Sequence, residues 1–224
     1  MNIAQIYGQG RVAFMGIEVM VAPGSLVPRP ETEVLGHAAL DCIGSLPAPR
    51  IIDMCCGSGN LACALAHHLP GAEIWASDLT ASCVQMARLN VERLGHAHHV
   101  HVRQGDLFSA LTGLGLEDSI DAVVCNPPYI STKRLATERA SLLEHEPREA
   151  FDGGPYGLTV HQRVLAEAGA FLRPGGWLLF EIGLGQERQV ELLFRRARVY
   201  EDFGLARDAS GDVRVAFGRR RAGE

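Results

Sequence analysis

From Arg50 onward the chain alternates short β-type runs with helix-type segments, and no other feature narrows its possible folds so far. Arg50 to Asp53 reads as a short buried strand, Glu73 to Asp78 as a second, Val100 to Gln104 as a third and Ile120 to Cys125 as a fourth. Trp177 to Ile182 makes a fifth after a turn at Pro174-Gly175-Gly176, and two terminal strands are expected around Tyr200 and over Val213 to Phe217. Between these runs, apolar residues recur at helical spacing. Leu61, Leu65 and Leu69 share a face over Asn60 to Leu69, and Val84, Ala87, Val91 and Leu94 share one over Ala81 to Leu94. Val160, Val164, Ala168 and Phe171 do the same over Leu158 to Leu172, and Glu187 to Ala197 supplies a further helix. Strands alternating with helices imply right-handed crossovers. The expected fold is α/β, a mostly parallel seven-stranded sheet with helices on both faces.

The segment before Arg50 differs. Arg11 to Phe14 and Ile17 to Val21 are spaced to pair as a hairpin around Met15-Gly16, Pro23 to Pro30 reads as a loop, and Glu31 to Ile43 as a helix. The expected division is 1–30, hairpin and active-site loop, and 31–224, the main domain. A formal net charge of -5 and a pI near 6.0 argue against a long nucleic-acid partner, because neutralising phosphates needs a basic surface. Met1 to Gly10 carries neither a basic nor an apolar signal region, and no apolar run approaches membrane-spanning length, so a cytoplasmic protein is expected. The six cysteines form no Cys-x-x-Cys pair and read as buried thiols. The cluster His96, His98, His99 and His101 lacks ligand spacing, and no metal is expected.

In such a sheet, ligands bind beyond the carboxyl ends of the strands. Three of those ends carry polar chemistry. Asp53-Met54-Cys55-Cys56-Gly57-Ser58-Gly59 is a glycine-bearing strand-to-helix turn, where main chain can approach a ligand closely and a helix N-terminus offers free N–H groups. Asp78 follows Gly57 by 21 residues, the separation at which a carboxylate reaches ribose hydroxyls. That much suits a dinucleotide as well as S-adenosylmethionine. Asp106, after the third strand, can accept the amino group of adenine or cap the turn that follows.

The fourth strand ends in Asn126-Pro127-Pro128-Tyr129. Two prolines stiffen the main chain, so the Asn126 side-chain carbonyl and the Pro127 carbonyl can both accept hydrogen bonds from one NH₂ group. Tyr129 offers an aromatic face to a planar amide or base. Such a nitrogen is a poor nucleophile because its lone pair is delocalised, so fixed acceptors that orient and polarise it carry the catalysis.

With these elements the chain resembles the HemK/PrmC-type protein-(glutamine-N5) methyltransferases. The resemblance runs from about Tyr7 and includes Pro28-Arg29-Pro30-Glu31-Thr32-Glu33, the Asp53 to Gly59 turn, the tetrapeptide and Glu146-Pro147. It continues through Phe151 to Leu158 and Pro174-Gly175-Gly176 to Glu181-Ile182-Gly183. It implies a Rossmann-like class I fold and S-adenosyl-L-methionine as cofactor. The implied cofactor-binding positions are Asp53, Cys55, Cys56, Gly57, Ser58, Gly59, Asp78, Leu79, Asp106, Leu107 and Asn126. Asn126, Pro127, Pro128 and Tyr129 are the implied catalytic residues, and Arg29 and Pro30 join them in holding the substrate. The Pro28 to Glu33 loop is expected to close over the site. Two positions depart from the family pattern: Cys55 stands where glycine is usual, and Leu107 where a larger side chain packs on adenine. No counterpart of the family's N-terminal helical domain is expected from the residues ahead of the hairpin. The expected acceptor is a glutamine amide in a protein such as a class-1 peptide release factor, or else a small-molecule or peptide amide or amine. The acidic balance disfavours an adenine of nucleic acid.

Overall fold

Side chains alternate between the two faces of each central strand, and this splits the core into two apolar layers. Ile51, Val124 and Leu179 join one layer, while their neighbours Ile52, Val123 and Leu178 join the other. The computed structural model describes residues 2–222; Met1, Gly223 and Glu224, which end the two expected segments, lie outside the described residues. The elements in order are α1 (Ile3–Gln9), β1 (Arg11–Phe14), β2 (Ile17–Met20), α2 (Glu33–Ile43), β3 (Arg50–Met54), α3 (Asn60–His68), β4 (Glu73–Asp78) and α4 (Ala81–Arg93). There follow β5 (Val100–Gln104), β6 (Ile120–Cys125), α5 (Thr132–Ala136), α6 (Thr159–Phe171), β7 (Leu172–Glu181), α7 (Glu187–Ala197), β8 (Tyr200–Arg207) and β9 (Val213–Arg220).

The sheet runs β5-β4-β3-β6-β7-β9-β8. The first five of these strands are parallel, and β9 is antiparallel to both β7 and β8. Helices α2, α3 and α4 cover the face of Ile51, and α6 and α7 the other. Successive connections move outward from β3 in one direction and from β6 in the other, so a crevice opens between these two strands at their carboxyl ends. Both the glycine turn and Asn126 lie there. No helix among the described residues is long and apolar enough to cross a membrane.

The hairpin pairs Phe14 with Ile17 across Met15 and Gly16, both with positive φ, as a type I′ hairpin turn requires. Its Phe14, Met15, Ile17 and Val19 are buried in the same layer as α2 and α3. Three details differ from the sequence expectations. Helix α1 was not expected: its apolar positions Ile3, Ile6 and Tyr7 are few and only half-buried, and Asn2 and Gly10 define it by capping. Pro30–Thr32 form a separate 3₁₀ turn, and the α-helix begins at Glu33. Pro174-Gly175-Gly176 is a bulge inside β7 rather than a turn before it, because Ile120 pairs with Leu172 while Ala122 pairs with Trp177.

Candidate active site

The turn after β3 is built from left-handed residues: Cys55 (φ 59°), Gly57 (φ 54°) and Gly59 (φ 76°). A non-glycine residue in this region costs roughly 1 kcal/mol, so Cys55 is strained where the family pattern has glycine. The Cys56 N–H donates to the Ser77 carbonyl at 3.0 Å and ties the turn to β4. A Cβ on Gly57 would meet nothing within 4 Å, so here the main chain faces open space. Asp78 closes this part of the site. Its Oδ2 accepts the Gly57 N–H and its Oδ1 the Thr80 N–H, each at 3.0 Å.

Asp53 has another position. It is fully buried beneath the turn, where Oδ2 accepts the Ala62 N–H at 3.0 Å and Oδ1 has no partner among the described residues. Burial is the main cause that lifts its pKa to about 8, against the Ala62 hydrogen bond and with help from the nearby Asp78 charge. An unfolded aspartate loses its proton near pH 4. Between about pH 4 and pH 8 only the folded chain holds this proton, so stability falls as pH rises, by up to about 1.4 kcal/mol per pH unit. Asp53→Asn is expected to melt higher than wild type at about pH 8 and equally at about pH 4. Parallel melting curves for the two proteins across that window, followed by circular dichroism, would count against a neutral Asp53.

A cavity of about 400 Å³ opens over the turn. It is lined by Cys55, Cys56, Gly57, Asp78, Leu79, Asp106 and Leu107, and on the opposite side by Arg29, Thr32, Asn126 and Pro128. Leu79 is 57% exposed, which is unusual for a large apolar side chain and leaves it free to cover a flat ligand. Asp106 does not cap the following turn; its carboxylate pairs with Arg163 at 2.9 Å. Ser58 and Gly59 are buried behind Gly57, Pro127 is buried, and Pro30 is exposed at the start of the 3₁₀ turn.

The tetrapeptide is held from several sides. Asn126 Nδ2 donates to Thr32 Oγ1 at 3.2 Å, and among the described residues no donor occupies Asn126 Oδ1. Tyr129 turns its hydroxyl away from the cavity to donate to Glu181 Oε1 at 3.0 Å, while Gln186 Nε2 donates to the Tyr129 carbonyl at 3.0 Å. The segment from Phe151 to Leu158 then runs along the tetrapeptide. A Cβ on Gly153 would fall 2.6 Å from the Pro128 carbonyl, and one on Gly157 would fall 2.3 Å from that of Tyr129. Those two glycines let the chains touch.

Arg29 reaches the buried carboxylate of Glu146, which also accepts the Val27 N–H at 2.9 Å. This pair fastens the Pro28 to Glu33 loop over the cavity. Sequence reasoning assigned no task to Glu146, Thr32, Glu181, Gln186 or Asn90. Asn90 is wholly buried in α4 and hydrogen bonds to Met20 of the hairpin and to the Ser58 carbonyl of the turn. The available signal was a polar residue beside the apolar stripe of Val84, Ala87 and Val91. Glu181 offered a similar one, a carboxylate ending an apolar strand.

The family model described as methyltransferase small domain matches residues 37–154. The chain is 39% identical to a release factor glutamine methyltransferase of Moorella thermoacetica over 96% of its length and 74% of the relative's. It is 36% identical to the enzyme of the same name from Gloeobacter violaceus over 93% of its length and 72% of the relative's. Among solved structures it is similar to the release factor-specific protein-(glutamine-N5) methyltransferase of Alicyclobacillus acidocaldarius. That match has a TM-score of 0.53 at 25% identity and covers 90% of this chain and 99% of the other.

Proposed function

The chain belongs to the release factor glutamine methyltransferase family, and on that premise we propose that it methylates the side-chain amide of a glutamine in a protein, with a class-1 peptide release factor as the first candidate. It is a methyltransferase of class I fold. The observation that carries the reading of the site is the state of Asn126. Its Nδ2 is engaged by Thr32, and among the described residues its Oδ1 has no donor at the edge of the cavity.

The cavity suits S-adenosylmethionine. Asp78 is oriented by two main-chain N–H groups at the end of β4, where it can accept from both hydroxyls of a ribose. The open space over Gly57 admits the amino-acid portion, and Leu79 and Leu107 offer apolar cover for a purine. When bound, this cofactor supplies an electrophilic methyl carbon. The chain's own residues do the rest. Asn126 Oδ1 and the Pro127 carbonyl hold the two N–H bonds of the acceptor amide, which turns its nitrogen lone pair out of conjugation and towards the methyl group. Tyr129, held at hydroxyl and carbonyl, keeps the tetrapeptide rigid. The Arg29–Glu146 pair keeps the loop closed and excludes water. Residues 1–30 are read as the hairpin and active-site loop, and 31–224 as the methyltransferase domain.

Labelled S-adenosylmethionine supplied separately with a release factor, a Gly-Gly-Gln peptide, nucleic acid and a metabolite extract tests the acceptor. Label is expected in the release factor, on its glutamine. Label confined to small molecules or to nucleic acid would overturn the assignment.

A further inference from the structure

The two ends of the tetrapeptide meet through residues outside it. Asn126 Nδ2 donates to the Thr32 hydroxyl, and the Tyr129 hydroxyl donates to Glu181 at the end of β7. Thr32 and Glu181 are both buried, and the Thr32 hydroxyl is the strongest influence holding the Glu181 carboxyl towards its charged form. Oε2 of Glu181 makes no hydrogen bond among the described residues, so it is the carboxylate oxygen left open to the Thr32 hydroxyl. A hydroxyl has one proton. If Thr32 gives that proton to a carboxylate, only lone pairs remain to face Asn126, and only the NH₂ end of the amide can meet them. Asn126 Oδ1 must then point at the acceptor.

We propose that Glu181 and Thr32 are positioning residues for methyl transfer: the Glu181 carboxylate orders the Thr32 and Tyr129 hydroxyls, and Thr32 thereby fixes which end of the Asn126 amide meets the acceptor nitrogen. The inference rests on the reading of Asn126 given above. An amide rotated by half a turn would present NH₂ to NH₂, replacing attraction with repulsion at the reacting nitrogen. Protonating Glu181 permits that rotation, because a carboxylic acid can donate to Thr32 Oγ1 and turn the Thr32 proton towards Asn126.

Burial of Glu181 places this switch in an accessible range. Burial raises its pKa to about 7, assisted by the Glu31 carboxylate, while Thr32, Tyr129 and the Arg214 guanidinium oppose the rise. His161 of α6 meets the Glu181 main-chain carbonyl at 2.9 Å; burial lowers its pKa to about 4, so it stays neutral throughout. Asp53 is raised to about 8, but it sits beneath the cofactor turn and away from this network.

The test measures kcat and KM for the acceptor from about pH 5.5 to pH 9 in wild type, Glu181→Gln, Thr32→Val, Thr32→Ser, Asp53→Asn and Asn126→Ala, with cofactor binding followed by calorimetry. Wild-type kcat is expected to fall below a pKa near 7. Glu181→Gln, which must donate from one end of its amide, is expected to lose the pH dependence and run about tenfold slower at high pH. Thr32→Val is expected to lose about tenfold in kcat with cofactor affinity kept, and Thr32→Ser to recover most of it. Asp53→Asn is expected to keep the acid limb.

Wild-type kcat in Glu181→Gln and Thr32→Val, with Asn126→Ala inactive, would overturn this proposal and leave the reading of Asn126 standing. An active Asn126→Ala would overturn both. If Thr32→Val loses cofactor binding, the Glu181→Gln profile decides alone, and an acid limb that persists there sinks the idea.

Discussion

Asn126→Ala is expected to lower kcat by about a hundredfold to a thousandfold, the loss that follows removal of one aimed hydrogen-bonding group from a site where charge develops. The acceptor amide then meets one carbonyl instead of two, and its lone pair stays delocalised. Cofactor affinity is expected to change little, because the turn at Cys55 to Gly59 follows β3 and Asp78 ends β4, whereas Asn126 follows β6. Tyr129 and Gln186 would still hold the main chain of the tetrapeptide. Single-turnover transfer of a labelled methyl group, beside calorimetric titration of the cofactor, separates the two effects. A variant that turns over near the wild-type rate would refute the proposed chemistry; one that is inactive because it binds no cofactor would refute the assignment of Asn126 to the acceptor.

The second large effect falls on binding instead. Asp78→Ala is expected to weaken cofactor affinity by about a hundredfold, since two hydrogen bonds to a charged acceptor disappear together. The loss has an internal part as well. Asp78 receives the Gly57 and Thr80 N–H groups, so its removal frees the turn that shapes the cavity. At saturating cofactor, kcat is expected to recover most of its wild-type value, because no group near the acceptor has changed. Asp106→Ala provides the contrast. That carboxylate is exposed and already shared with Arg163, so its loss is expected to cost less than about tenfold. Equal losses from the two substitutions would show that the ribose assignment of Asp78 is wrong.

Much of this site was visible in the order of residues. The separation of Gly57 from Asp78 pointed to a shared ligand, and the fold brings the two within a hydrogen bond of each other. Asn126 follows an apolar strand, and it stands at the carboxyl edge of the sheet on the wall of the cavity. Asp53 shows the limit of such reasoning. It occupies the expected strand end, yet the pleat turns its side chain into the core, beneath α3. Tyr129 was read for its aromatic face, and the fold adds a task for its hydroxyl, which donates to Glu181.

By itself the sequence determined the alternation of strands and helices, the parallel sheet with its crevice and the residue types placed along that crevice. These follow from local periodicity and chain direction, which neighbouring residues impose on one another. Only the tertiary structure decided the partners. Arg29 with Glu146, Asn126 with Thr32 and Tyr129 with Glu181 are joined across 117, 94 and 52 residues. Nothing local selects such pairs. They arise where crossovers bring separate strand ends and the loop before α2 to one edge of the sheet, and where burial leaves each polar group no water to bond with instead.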